Sequence, residues 1–175
     1  PDLAFAFPRA PYPDELKREG PIRVGYSWYP YTGDPAAFRE SLRVTGDWLL
    51  GLIDRVVEET RADPARVCLM GFSQGGYLAG SLAMTRPERF AGVAVLGARY
   101  KTELLDGDAP ELTRLRLFAG HGSRDRSVAP GPAAAHVEEL RRRGVSVDHR
   151  EYDCGHRVVP EMVEDAVAYL LSSSA

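Results

Sequence analysis

Lysine and cysteine are nearly absent from this chain. Lys17 and Lys101 are the only lysines among 22 basic residues, so almost every positive charge is an arginine. The arginines alternate with acids and form no stripe, and the formal net charge is −3. That balance offers no electrostatic attraction to nucleic acid or to an anionic membrane, and the charges read as solvated faces. Of the two cysteines, Cys68 falls in a predicted buried strand and Cys154 in a late loop, which makes neither a disulfide framework nor a zinc set. A reducing cytoplasm is the expected compartment. No apolar run approaches the ~20 residues of a membrane span, and the N-terminus lacks the basic segment, apolar stretch and cleavage site of a signal peptide. The first residue is Pro1 and not Met, from which we expect that something upstream is missing. What is present, 175 residues of which 44% are hydrophobic, is enough for one real core and too little for two, so a single domain over 1–175 is expected.

Taken in order, Leu3–Phe7 is a short strand candidate halted by Pro8, and Pro8–Pro13 reads as a proline-rich loop. From Asp14 to Thr32 there is little periodicity, but Tyr26, Trp28, Tyr29 and Tyr31 cluster there. Aromatic residues in a surface loop either line a pocket or cover the core beneath it. Asp34-Pro35 is a helix start, with an acceptor side chain at the cap and proline in the first turn. In the long helix that follows, Leu49, Leu52, Ile53 and Val56 share one face, while Gly46 and Gly51 weaken it locally. Strands are predicted at Val67–Met70, Val93–Leu96, Leu115–Gly120 and Val147–Tyr152, the last polar enough to suit a sheet edge. Helices are predicted after Ser73 to about Thr85, over Pro132–Arg143 with Gly144 as its C-terminal cap, and over the last segment through Val163, Ala166, Val167 and Leu170. The polar stretch from Gly97 to Thr113 reads as a loop or short helix.

Strands alternating with helices predict a mostly parallel sheet with helices on both faces. In such a sheet the loops at the carboxyl ends of the strands gather on one edge, where ligands bind. Three of those loops carry chemistry. Gly71-Phe72-Ser73-Gln74-Gly75 matches G-x-S-x-G between an apolar strand and a helix, the pattern of a sharp turn that lifts a serine hydroxyl above a sheet. Such a turn also aims the N–H of Gln74 at a developing oxyanion. A serine hydroxyl is a poor nucleophile until a base takes its proton, and that base must be oriented by a third group. Among the four histidines, His136 lies in a predicted helix and His149 in a predicted strand, His121 closes the third predicted strand, and His156 sits beside Gly155 after the last. His156 is the expected base. Asp125 is the expected acid, because Ser, Asp, His is the chain order on such sheets; Asp106, Asp108 and Asp153 are its rivals.

Gly71-Phe72-Ser73-Gln74-Gly75-Gly76, His121-Gly122-Ser123-Arg124-Asp125 with Val128, and Gly155-His156 resemble the three signature stretches of the phospholipase/carboxylesterase family. Pro8-Arg9-Ala10-Pro11 with Tyr26-Ser27-Trp28 resembles that family's segment upstream of its long helix. The resemblance implies an α/β-hydrolase domain over 1–175, no metal or organic cofactor, and hydrolysis of small or medium acyl esters or thioesters. It assigns Ser73, His156 and Asp125 to a triad, the N–H of Gln74 to the oxyanion, and Trp28 and Val128 to the border of the acyl pocket. It implies a small-molecule ester as the partner; a homodimer stays open, and the charge balance and hydropathy above point to neither nucleic acid nor a membrane span. Members of that family carry, before the segment matching Leu3–Phe7, a strand and a Leu-His-Gly-x-Gly-like loop that supplies a second oxyanion donor. This sequence has no such stretch. An N-terminally shortened sheet is therefore expected, or one that re-pairs its strands or borrows one. Two other readings stand beside the esterase: a peptidase or lactone hydrolase on the same fold, and a catalytically weak or silent binding module.

Overall fold

A computed structural model describes residues 3–16, 23–30, 33–105 and 110–172. The chain divides into two compact units, Pro1–Pro64 and Ala65–Ala175.

In the first unit, β1 (Tyr12–Leu16) and β2 (Arg23–Ser27) form an antiparallel hairpin in which Tyr12 pairs with Ser27 and Leu16 with Arg23. This corrects the sequence reading on two points. Leu3–Phe7 forms no strand, and strands occur where loops were expected. Among the described residues nothing pairs with Leu3–Phe7, and an extended run without a neighbour gains no ladder hydrogen bonds. Pro13 is tolerated because a two-stranded sheet consists only of edges. The helix α1 (Pro35–Thr60) begins where expected: the Asp34 carboxylate accepts the N–H of Ala37 at 2.7 Å. Its buried residues are Leu42, Thr45, Gly46, Leu49 and Leu50, while Leu52, Ile53 and Val56 are only half-buried. The helix runs unbroken through Gly46 and Gly51. The aromatic cluster divides. Tyr29 is buried edge-on to Phe38 at 5.3 Å, Trp28 packs on Trp48, and Tyr26 is exposed beneath the Arg9 guanidinium. Tyr31 lies outside the described residues.

The second unit holds a parallel sheet in the order β3 (Cys68–Phe72), β4 (Gly92–Leu96), β5 (Arg116–Gly122) and β6 (Val147–Tyr152). β6 is an edge, as its polar composition implied. β4 is buried throughout, which suits a strand covered on both faces. On one face, α4 (Pro160–Leu171) sets Met162, Ala166 and Leu170 against Ala94, Leu96 and Phe118. On the other, α2 (Gln74–Thr85) packs Gly80 beside Val95. α3 (Pro130–Arg142) lies against β5 and β6, and Val137 and Leu140 are fully buried. Its end is closed by Gly144 N–H on the Arg141 carbonyl and Val145 N–H on that of Leu140, the reciprocal pair of a Schellman motif. Among the described residues no helix is long and apolar enough to cross a membrane.

The loop after β4 carries a polar network that fixes the state of His136. Arg99 can only donate, so Nε2 of His136, 2.7 Å from its guanidinium, must accept. Nδ1 then carries the proton and donates to the Thr102 hydroxyl, which donates to Glu139 at 2.7 Å. The network needs neutral imidazole. Burial first, and then the Arg99 charge, hold the His136 pKa below its ordinary value, and burial does the same to His149 on β6. Because the unfolded chain binds these protons more readily than the folded one, stability rises with pH across this window and is lost as pH falls below about 6.5. We expect urea melts between pH 8 and pH 5 to show that loss, and His136→Gln to flatten the slope. An unchanged slope in that variant would show that His136 is not held neutral.

Candidate active site

The parallel register aligns the carboxyl ends of β3 to β6: Phe72 pairs with Leu96, Leu96 with Gly120, and Gly122 with Tyr152. Ser73 follows β3 directly and caps α2 with φ 51° and ψ −117°, one of two non-glycine residues at positive φ among those described. Such a conformation costs roughly 1–3 kcal/mol. Local sequence permits it. A Cβ on Gly71 would strike the backbone carbonyl of Gly75, so the turn closes only because residue 71 has none. The Ser73 N–H donates to the Leu96 carbonyl at 2.9 Å and its carbonyl accepts from Tyr77. These two bonds tie the turn to β4 and to the first turn of α2. The amide of Gln74 belongs to the positive end of that helix.

The loops after β5 and β6 are joined into one body. Ser123 N–H donates to the Tyr152 carbonyl at 2.8 Å and Arg124 N–H to that of Cys154 at 3.0 Å. Gly122 lies so close to the carbonyls of Cys154 and Gly155 that a Cβ there would meet the former at 2.7 Å. Asp125, buried in the first of these loops, uses its two oxygens separately. Oδ1 accepts the N–H groups of Ser127 and Val128 at 2.8 and 2.9 Å, and Oδ2 lies 2.7 Å from Nδ1 of His156. Burial pushes the Asp125 pKa up, but the amide of Val128, the His156 ring and the amide of Ser127 outweigh it, and the net shift is downward. The carboxylate is therefore ionised near neutrality, and Nδ1 of His156 must carry the proton it donates. In the neutral ring Nε2 is then the acceptor, 2.8 Å from Oγ of Ser73. Phe72 lies against the imidazole at 4.8 Å and limits its rotation.

Ser73, His156 and Asp125 thus form one hydrogen-bonded chain, although 83 residues separate the first two. The rivals are elsewhere. Asp153 is 82% exposed and pairs with Arg124, while Asp106 and Asp108 lie outside the described residues. His136 and His149 belong to α3 and β6. Val128 contributes its N–H to Asp125. Trp28 belongs to the first unit, where its carbonyl accepts from the Thr45 hydroxyl at 2.8 Å. One residue whose part was not legible in sequence is His121, buried at the end of β5 and 3.5 Å from Asp125. Its motif was visible; only its burial and bonding reveal what it touches.

A four-stranded parallel sheet covered on both faces, with a serine on a strained strand–helix turn at its carboxyl edge, defines an α/β-hydrolase fold. Residues 1–174 match the phospholipase/carboxylesterase family, and the chain belongs to it, as a carboxylesterase-type hydrolase. Acyl-protein thioesterase 1 of Eremothecium gossypii is 28% identical over 180 residues, covering 95% of this chain and 72% of that protein. Among solved structures, Arabidopsis thaliana SOBER1 superposes with a TM-score of 0.73 at 22% identity, over 94% of this chain and 81% of that one. The Mesorhizobium loti carboxylesterase does so at 0.69 and 20% identity, over 94% and 74%. Both share the fold.

Gly122→Ala is expected to lower stability by about 1–3 kcal/mol, the usual cost of overpacking, because backbone carbonyls cannot swing aside as a flexible side chain would. Urea denaturation measures it. A change under ~0.5 kcal/mol, the range of a neutral surface substitution, would mean that the two loops are not in close contact.

Proposed function

We propose that this chain hydrolyses carboxylic esters and thioesters of small or medium acyl chains through an acyl-enzyme on Ser73. The observation that carries the reading is the unbroken sequence of hydrogen bonds from Ser73 Oγ through His156 to Asp125. Nε2 of His156 takes the hydroxyl proton as Oγ attacks the acyl carbon, and returns it to the departing alcohol or thiol. A water molecule, deprotonated in turn by His156, then releases the acid and restores the serine. Asp125 holds the ring in the tautomer that leaves Nε2 free to accept, and stabilises the imidazolium as it forms. The N–H of Gln74, at the positive end of α2, is the proposed donor to the tetrahedral oxyanion, and Val128 is proposed to border the acyl group. Thioesters are included because the fungal relative is named for cleaving them from proteins.

Intact-mass analysis after treatment with a fluorophosphonate probe tests the nucleophile. One adduct per chain is expected on the unmodified protein and none on Ser73→Ala. An adduct that survives in Ser73→Ala, or a folded chain that takes none, would overturn the assignment. Asp125→Asn, which keeps an acceptor for the Ser127 and Val128 amides but presents the wrong partner to Nδ1, is expected to cost ~10⁴-fold in turnover of a p-nitrophenyl ester. Retention of more than about a tenth of the rate would remove Asp125 from the mechanism.

A further inference from the structure

His121 is nearly inaccessible, with a side chain 2% exposed, and buried imidazole is stabilising only if its polar atoms find partners. Its Nε2 lies 2.9 Å from the carbonyl oxygen of Val128. A carbonyl can only accept, so Nε2 carries the proton and donates to it. The same N–H also faces Oδ2 of Asp125 at 3.5 Å, the oxygen that accepts from His156. The backbone of Val128 is therefore held on both sides of its Cα. Its N–H is bound by Oδ1 of Asp125 and its carbonyl by His121. His121 is itself the penultimate residue of β5. One buried imidazole thus fastens the acid-bearing turn to the sheet.

We infer that His121 is a positioning residue for the hydrolysis, fixing Asp125 Oδ2 on Nδ1 of His156 by anchoring the carbonyl of Val128. The inference rests on the Ser73–His156–Asp125 reading above. His121 bonds to the Val128 carbonyl and takes no proton in the proposed reaction. Loss of its N–H frees the Val128 carbonyl, lets the turn relax and moves the carboxylate relative to the imidazole. Displacements of about 1 Å in a reacting constellation cost up to ~100-fold in rate, so the expected effect falls on kcat and spares KM.

The test is a double-mutant cycle on p-nitrophenyl butyrate, with each variant checked by thermal melting. His121→Leu is expected to lower kcat about 10- to 100-fold with KM within about twofold. His121→Gln, whose amide nitrogen reaches close to the position of Nε2, should recover most of that loss, whereas His121→Asn, equally polar but too short, should not. If the leucine variant does not fold, the contrast between glutamine and asparagine carries the same question. In an Asp125→Asn background, a residue that acts only through the carboxylate should add less than about a further twofold loss. Equal losses in both backgrounds, an unchanged kcat, or a glutamine variant no better than asparagine would overturn the inference while leaving the nucleophile intact. Should Ser73→Ala hydrolyse the ester as fast as the unmodified chain, the mechanism itself falls, and the role of His121 with it.

Discussion

The backbone turn at Ser73 is the constraint on which the site depends. A serine at φ 51° and ψ −117° is unfavourable by roughly 1–3 kcal/mol, so it persists only where the flanking elements hold it. They do so amply. Leu78 and Leu82, on the helix that leaves the turn, are 1% and 3% exposed, and each such burial is worth about 1.5–3 kcal/mol. The strand before the turn is bonded along its length to β4, and the Ser73 amide itself is held by the Leu96 carbonyl. Straightening the turn would require α2 to leave the sheet. The hydroxyl is thereby presented above the strand ends at a strain cost that packing elsewhere offsets.

Against that fixed hydroxyl, Asp125 and His156 arrive on loops whose backbones are bonded to each other, and the His156 ring reaches the elbow at Ser73 Oγ. Ser123 and Arg124 donate to carbonyls at and after the end of β6, and Arg124 also pairs with Asp153. The exposed Arg124–Asp153 pair contributes little by itself; the backbone bonds and the close approach of Gly122 do most of the joining. The division of labour within Asp125 follows from this. One oxygen organises the turn through two backbone amides, and the other is left for His156. The Val128 amide, the His156 ring and the Ser127 amide together keep the buried carboxyl ionised against the cost of burial, and the ionised carboxylate in turn dictates the tautomer of His156. Electrostatics and geometry converge on a single tautomer.

Much of this was legible in the residues. Periodicity and caps located the strands and α-helices of the second unit to within a few positions: Gly144 closed α3, and the polar alternation of Val147–Tyr152 marked an edge. The first unit was read less well. Its hairpin is interrupted in sequence by Pro13 and by the polar stretch between its strands, and hairpin pairing satisfies backbone groups without requiring an apolar pattern. Leu3–Phe7 shows the reverse error: its composition favours a strand, but a strand needs a neighbour.

Local chemistry was determined by the sequence alone: which serine stands on a glycine-flanked turn, and which histidine and aspartate follow later strands in the order such sheets use. Local sequence carries turn and cap geometry because these are set by steric and hydrogen-bonding rules acting over a few residues. Only the tertiary structure decided that Asp125 and not Asp153 meets His156, and that His121 is buried against the Val128 carbonyl. Those outcomes depend on the register of four parallel strands, a long-range property in which Leu96, Gly120 and Tyr152 reach the same edge. No short window of sequence contains it.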